Sequence, residues 1–301
     1  MTYSRVNPSW TLTQLLWLRE NEPEIWHKLR RFLVTKDYVR YRLTGAYQTD
    51  TYDALGTQLY DVAYAAWSSE LRKLAALENV QLPPIATPFA LAGGLLPEAA
   101  RETGLMAGTP VAVGSGDSVV EAFGIGAVKP GQCLVKLGTA ANVNLVTTRP
   151  LPSPKTITYQ HIVDDRWFTI SATNAGAASV RWFRESFLQR GVTQAQVDGR
   201  SVHSLMDNLA VQAPAGAEGL IFHPYLMGER SPYWDPNLRG DFVGISARHH
   251  LAHFARAVLE GVAYSIRDCL EAVETLGQPV ETLFLIGGAA RSPLWQQILA
   301  D

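Results

Sequence analysis

Apolar residues recur at helical spacing from Thr11 to Arg31 (Leu12, Leu15, Leu16, Leu18, Ile25, Leu29), with Pro23 interrupting them. The pattern predicts two short helices or one kinked helix. A second helical stretch runs from about Thr35 to Leu43 and meets Gly45, a residue free to adopt a left-handed C-cap. Residues 49–61 read as polar and turn-rich, Ser68 as the cap of a helix running towards Leu77, and Pro83, Pro84 and Pro88 as a loop. An alanine-rich helix (Pro97 to Thr103) then leads through Gly104 and Gly108 to Pro110-Val111-Ala112-Val113, which is short enough to be a buried strand.

That strand stops at Gly114-Ser115-Gly116-Asp117, and a helix is predicted to begin near Ser118. The texture changes at Lys129-Pro130-Gly131, where a domain boundary is placed. Strands follow over Gln132 to Leu137 and Asn142 to Val146, joined by Gly138-Thr139-Ala140-Ala141, and another lies around Trp167 to Ser171. A helix is predicted over Ala175 to Arg190, a loop over 213–244, and a long helix from Leu251 to Leu276 whose apolar face carries Phe254, Val258, Leu259, Val262, Ile266, Leu270 and Val273. Thr282 to Ile286 reads as a strand, Gly287-Gly288 as a turn, and Ser292-Pro293 as an N-cap with proline at the first helical position. Strands leading through glycine turns into helices define an α/β class.

Composition narrows the partners. Of 301 residues 47% are hydrophobic, enough for one large core or two moderate ones, and 26 basic against 28 acidic side chains leave a formal charge of -2. No run of like charge marks a nucleic-acid or anionic-membrane surface, and no apolar stretch approaches the roughly 20 residues that span a bilayer. A cytoplasmic protein is expected, with Cys133 and Cys269 as small buried hydrophobes. His249, His250 and His253 lack acidic or cysteine partners at metal-ligand spacing and read as a solvated helix start, and Trp17, Trp26, Trp182 and Trp295 as core residues of amphipathic helices.

Three glycine turns follow strands: Gly114-x-Gly116-Asp117, Gly138-Thr139 and Gly287-Gly288. Each could aim backbone N–H groups at phosphate oxygens, yet each is also an ordinary strand-to-helix turn, and none matches a P-loop or a dinucleotide fingerprint. Asp117 stands between a glycine turn and a helix start, where it serves either as a cleft carboxylate or as an N-cap; the residues alone leave both readings open.

Together these segments resemble the FGGY carbohydrate kinases, and within them the bacterial xylulokinases. The resemblance rests on Lys36-Asp37-Tyr38-Val39-Arg40-Tyr41-Arg42-Leu43-Thr44-Gly45, Asp53-Ala54-Leu55-Gly56-Thr57, Gly114-Ser115-Gly116-Asp117 and Leu137-Gly138-Thr139. It continues through Pro224-Tyr225-Leu226-Met227-Gly228-Glu229-Arg230-Ser231-Pro232, Gly240 to Ile245 with His253 to Glu260, and Gly287-Gly288-Ala289-Ala290-Arg291-Ser292-Pro293-Leu294-Trp295-Gln296-Gln297. It implies an actin-like (ribonuclease-H-like) ATPase fold of two domains with the first incomplete: 1–128 as the C-terminal part of the sugar-binding domain, 129–301 as the ATP-binding domain truncated at its C-terminus. ATP and sugar would meet in the cleft between them.

By the same resemblance Asp117 is the catalytic base, Asp117 and Ser118 contact the sugar, Gly138 and Thr139 contact the ATP phosphates, and Gly287, Gly288 and Ser292 lie against the adenosine. The cofactors implied are ATP and Mg2+, with no metal ligand assigned among these residues. The partner is a small-molecule sugar, with no nucleic acid and no membrane; a homodimer is one option for the oligomeric state. The implied reaction is phosphoryl transfer to a hydroxyl of a ketopentose or related polyol, D-xylulose leading, with ribulose, glycerol or a non-catalytic sugar- or nucleotide-binding role as alternatives. Gln14 stands where the family prefers lysine and Ser118 where xylulokinases usually carry asparagine, so the sugar is left open. A leading strand and glycine-rich loop with a metal-facing Asp are not found, so this chain by itself is expected to show negligible turnover.

Overall fold

In the computed structural model, which describes residues 2–197 and 204–301, Pro23 divides the first apolar stretch into α1 (Thr11–Asn21) and α2 (Pro23–Lys28). Helix α3 (Thr35–Thr44) closes at Gly45, whose φ of 77° lets its N–H reach the Tyr41 carbonyl. Residues 49–61 correct the turn-rich reading, because β1 (Thr49–Asp50), α4 (Thr51–Gly56) and β2 (Tyr60–Asp61) follow one another there. The Asp50 carboxylate accepts from the Tyr52 N–H and caps α4, and Ala54 and Leu55 are buried. A six-residue helix is too short to show a period, so only its cap could have announced it.

The chain continues through β3 (Ala66–Trp67), α5 (Ser69–Leu74, capped by the Ser68 hydroxyl), β4 (Ile85–Ala86), β5 (Leu91–Gly94), α6 (Pro97–Thr103), β6 (Pro110–Ala112) and α7 (Asp117–Gly124). Strand β4 lies parallel to β1, and β6 antiparallel to β5. The expectation of a buried strand at 110–113 is corrected: a two-stranded sheet leaves a face uncovered, so Pro110 and Ala112 are exposed and only Val113 beyond β6 is buried. Leu12 and Leu15 of α1 pack with Leu59, Leu77, Val80 and Leu82, while Trp26 joins this cluster from its edge. Trp17 is 57% exposed, on the outward side of α1, and is not a core residue.

Next come β7 (Gln132–Leu137), β8 (Ala141–Thr147), β9 (Ile157–Gln160) and β10 (Trp167–Thr173). The segment predicted as one helix is two, α8 (Ala177–Phe187) and α9 (Gln189–Val197), because Leu188 leaves helical backbone at the C-cap of α8. After α10 (Ser204–Ala210), the predicted loop 213–244 contains β11 (Ile221–His223) and β12 (Asp241–Val243), paired antiparallel. Helix α11 (Leu251–Glu274), β13 (Thr282–Ile286) and α12 (Pro293–Ala300) end the described chain.

Two compact units result: Met1–Lys129 with Val146–Phe168, and Pro130–Leu145 with Thr169–Asp301. Four strands of a five-stranded sheet, in the order β13-β7-β8-β10, contribute to the second unit. Its core is made by one face of that sheet (Cys133, Val135, Leu137, Val143, Leu145), Phe183 of α8, and Val258, Leu259, Val262, Ile266 and Val273 of α11. Leu134, on the other face of β7, is buried as well, so the strand is covered on both faces at Cys133-Leu134-Val135. Trp295 of α12 is buried, with its indole N–H donated to the Leu259 carbonyl at 3.1 Å. Both cysteines are free and buried. The helix start at His250 is not fully solvated: His253 is buried and its Nδ1 accepts from the His250 N–H.

Phe222 of β11 is fully buried between the rings of Trp182 and Phe242, 5.9 and 4.7 Å away. Phe222→Ala should therefore lower unfolding free energy by about 3–5 kcal/mol, measured by denaturant titration; a change below about 1 kcal/mol would show that this aromatic stack is not part of the stabilising core.

Candidate active site

Asp117 does not sit at a strand end. Four residues separate it from β6, and it is the first residue of α7, with Gly116 as N-cap. Gly114 has a φ of 72°, which glycine adopts without strain, and Gly116 lies so close over the Tyr52 ring that any Cβ would overlap it. The Asp117 side chain is exposed, and its Oδ1 accepts from the Ser118 N–H at 2.8 Å. A carboxylate in the first turn of a helix is favoured by the N-terminal partial charge. Ser118 is buried, within hydrogen-bond reach of the Tyr52 hydroxyl, and Tyr52 stacks on Tyr159 at 4.2 Å. Burial holds the Tyr52 hydroxyl far above the ordinary phenol range.

Beneath this turn lies a group of charges that sequence reasoning did not assign to the site. Lys36 Nζ stands 2.8, 2.9 and 3.2 Å from carboxylate oxygens of Asp37, Asp50 and Asp53, and Arg40, one helical turn on, donates to Asp37 Oδ1 at 2.8 Å. Burial alone would lower the Lys36 pKa, but Asp50, Asp37 and Asp53 outweigh it and raise it. Three carboxylates face two cations, so one negative charge is in excess. Asp53, the least buried of the three, takes up the imbalance: burial, then the Asp50 charge, push its pKa up to about 7.

In the second unit the turn between β7 and β8 is a tight hairpin in which Gly138 N–H donates to the Ala140 carbonyl. The first amides of α8 grip its outer carbonyls: Ala177 N–H donates to Gly138 at 2.8 Å and Ala178 N–H to Thr139 at 3.0 Å. No hydrogen bond among the described residues uses the Thr139 N–H or hydroxyl, which leaves both available to an anion. Gly176 is in extended backbone that any residue adopts, but a Cβ there would stand 2.7–2.8 Å from backbone atoms of Gly138, Thr139 and Ala140. Gly287, with φ 102°, packs its α-carbon against the Leu137 carbonyl, since β13 runs parallel beside β7. The structure thus brings Gly138, Thr139 and Gly287 together at one end of the sheet. Gly288 follows Gly287 and faces open space, while the Ser292 hydroxyl is engaged as the cap of α12, accepting from Trp295 N–H at 3.1 Å.

Glu229 also escaped assignment. Its buried carboxylate accepts from the Thr173 hydroxyl and from the N–H groups of Asn174 and Arg230, both at 2.6 Å, and so ties the end of β10 to the loop after β11. That tie fixes the turn leading to Gly176 and α8. The only trace in sequence is the Gly228-Glu229-Arg230 triplet within a quoted motif. A cavity of about 760 Å³ lined by Arg256, Glu260, Leu285 and Gln296 is in the same unit, but none of the residues named for chemistry lines it.

Among the described residues, Asp37, Asp50 and Asp53 are grouped closely enough to hold a metal ion. They do not fit one, because the Lys36 ammonium already stands among all three carboxylates.

Two family models divide the chain between them. That of the FGGY family of carbohydrate kinases, N-terminal domain, matches residues 2–124, and that of the C-terminal domain matches residues 133–301. The chain belongs to the FGGY family of carbohydrate kinases, whose actin-like ATPase fold it shares. It is 35% identical over 303 residues to xylulose kinase of Escherichia coli (strain K12), covering 100% of this chain and 60% of that protein, and 33% identical over 303 residues to xylulose kinase of Bacillus subtilis (strain 168), covering 100% and 59%. Gluconokinase of Bacillus licheniformis is 29% identical over 302 residues, covering 100% of this chain and 59% of that one. The crystal structure of xylulose kinase from Rhodospirillum rubrum superposes with a TM-score of 0.89 at 29% identity, over 100% of this chain and 59% of that chain. The chain thus spans about three-fifths of the length of these relatives.

The raised Asp53 pKa has a definite sign. Below about pH 4 the carboxyl is protonated folded and unfolded alike; from there to about 7 the folded protein keeps a proton that the unfolded chain releases, so stability falls as pH rises. Denaturant titrations of the parent and of Asp53→Asn should show the variant gaining relative stability between about pH 4 and 7 and none above. A constant difference across that range would contradict the charge imbalance.

Proposed function

We propose that the protein, as its gene encodes it, transfers the γ-phosphoryl group of ATP to a hydroxyl of a ketopentose or related polyol, with D-xylulose as the leading substrate. The observation that carries this reading is Asp117, an exposed carboxylate held by a glycine turn at the first position of α7, in a chain with xylulose kinases among its relatives over its whole length. The acceptor hydroxyl bonds to the γ-phosphorus as the bond to the β-γ bridging oxygen breaks, ADP leaves, and the hydroxyl proton passes to Asp117. An ordinary carboxyl is too weak a base to ionise an alcohol beforehand, but in a loose phosphoryl-transfer transition state the proton leaves late. Asp117 therefore needs position more than basicity.

The hairpin at Gly138-Thr139 is the phosphate contact in this reading. Its unengaged Thr139 N–H and hydroxyl supply donors, and α8, whose first amides it already engages, adds positive field from its N-terminus. Gly287 and Gly288 give the adenosine an approach without side chains, whereas the Ser292 hydroxyl is engaged in capping and contributes through its backbone position. Magnesium belongs here to the MgATP substrate, where it neutralises phosphate charge. The two free buried cysteines suit a reducing compartment such as the cytoplasm.

The gluconokinase relative favours a second reading, phosphorylation of a sugar acid. A coupled assay on the encoded protein with xylulose, ribulose, glycerol and gluconate separates them: turnover highest on xylulose supports the first, highest on gluconate the second, and no turnover on any removes the kinase assignment. Asp117→Asn should lower kcat by ~10² or more with ATP affinity nearly unchanged; lost ATP binding with kcat intact would make it a structural cap. Gly176→Ala should act the other way, raising the KM for ATP by about tenfold through a displaced hairpin, and an unchanged KM would separate the hairpin from the phosphates.

A further inference from the structure

The Gly114-Asp117 turn is held by side chains far from it in sequence. The Ser115 hydroxyl donates to Asp50 Oδ2 at 2.6 Å, and both residues are buried. The other oxygen of Asp50 receives Lys36 Nζ at 2.9 Å, and Oδ2 also accepts from the Tyr52 N–H at 3.1 Å. Arg40 donates to the Val113 carbonyl at 2.7 Å while paired with Asp37. Lys36 and Arg40 are i and i+4, so one face of α3 reaches the turn at two points. Gly114 N–H donates to the Pro88 carbonyl at 2.9 Å, fixing the turn from another direction, and the Tyr52 ring fills the space beneath Gly116.

We propose that Lys36, Asp50 and Ser115 form an ionic brace that positions Asp117 for phosphoryl transfer, which makes Asp50 and Ser115 positioning residues of the reaction. The inference rests on the sugar-kinase reading above. The Ser115 bond lies two residues from Asp117, with only Gly116 between, and Gly116 cannot relay a shift by side-chain packing because it has none. Any movement of Ser115 is therefore carried by backbone directly to the N-terminus of α7 and to its first residue. A hydrogen bond to a buried carboxylate is among the stronger neutral-donor contacts, and Lys36 Nζ, 2.9 Å from its other oxygen, holds that carboxylate in place. Asp50 and Ser115 are 65 residues apart along the chain.

The test is a double-mutant cycle on the encoded protein, with kcat, KM for ATP and melting temperature read for Ser115→Ala, Asp117→Asn and the double variant. Ser115→Ala should lower kcat about tenfold, on the scale expected for misplacing a reacting group by a fraction of an ångström, with KM for ATP within about twofold. In the Asp117→Asn background the same substitution should cost almost nothing, because it acts only through Asp117. Asp50→Asn, which leaves an acceptor for Ser115 but no charge for Lys36, should reproduce the kcat loss and serves where Ser115→Ala does not fold. An unchanged kcat in both variants, or equal fold losses with and without Asp117, would overturn the brace while leaving the kinase reading intact. Absence of turnover in the unsubstituted protein would instead remove the kinase reading, and the brace with it.

Discussion

Three carboxylates and two cations packed together, with Lys36 and Asp53 partly exposed, set the terms for the first unit. Neither Lys36 nor Arg40 could enter a low-dielectric interior unpaired, and none of Asp37, Asp50 and Asp53 could either. Their mutual attraction offsets the loss of water only while the geometry holds, and that geometry joins α3, the β1–α4 junction and the loop before α7. Breaking one partner would strand the others, so the cluster acts as a unit. The excess negative charge makes it sensitive to pH near neutrality, through the carboxyl that is least enclosed. Ser115 belongs to this unit, and through it the glycine turn inherits a fixed place.

The second unit reaches a similar end by steric means. Its hairpin carries no charge; it is located by the absence of side chains at Gly176 and Gly287 and by amides of α8 that grip its carbonyls from outside. Using the carbonyls for structure turns unengaged donor groups at Thr139 outward, which is the polarity an anionic ligand requires. Glu229 holds the start of that arrangement by accepting three donors at once. Electrostatic locking in one unit and close backbone packing in the other fix the places of Asp117 and Thr139, which in the proposed phosphoryl transfer matters more than chemical activation.

Local chemistry made much of the fold legible in sequence. Gly45 and Gly104 ended their helices, Ser68 and Ser292 began theirs, and the apolar run Thr282 to Ile286 is β13 because each signal acts within a few residues. What escaped depends on distance or on shortness. The β1–β4 ladder joins two-residue strands that have no period, and β11 finds β12 across an eighteen-residue separation that reads as loop. Trp17 carries the composition of a core residue and faces outward, because the helical pattern locates a stripe but not what covers it. The same division runs through the site: Asp117 and the glycines stand out locally, whereas Asp50 with Ser115 and Thr173 with Glu229 meet across 65 and 56 residues.

In the proposed reaction Asp117 receives the acceptor proton while the Gly138-Thr139 hairpin holds the phosphates. A crystal structure of the encoded protein with xylulose and a non-hydrolysable ATP analogue tests it most directly. The expected result is a substrate hydroxyl oxygen about 2.6–3.2 Å from an Asp117 oxygen, Asp117 still at the start of α7, and a phosphate oxygen accepting from the Thr139 N–H. A sugar bound away from Asp117, or phosphates that leave the hairpin untouched, would contradict it.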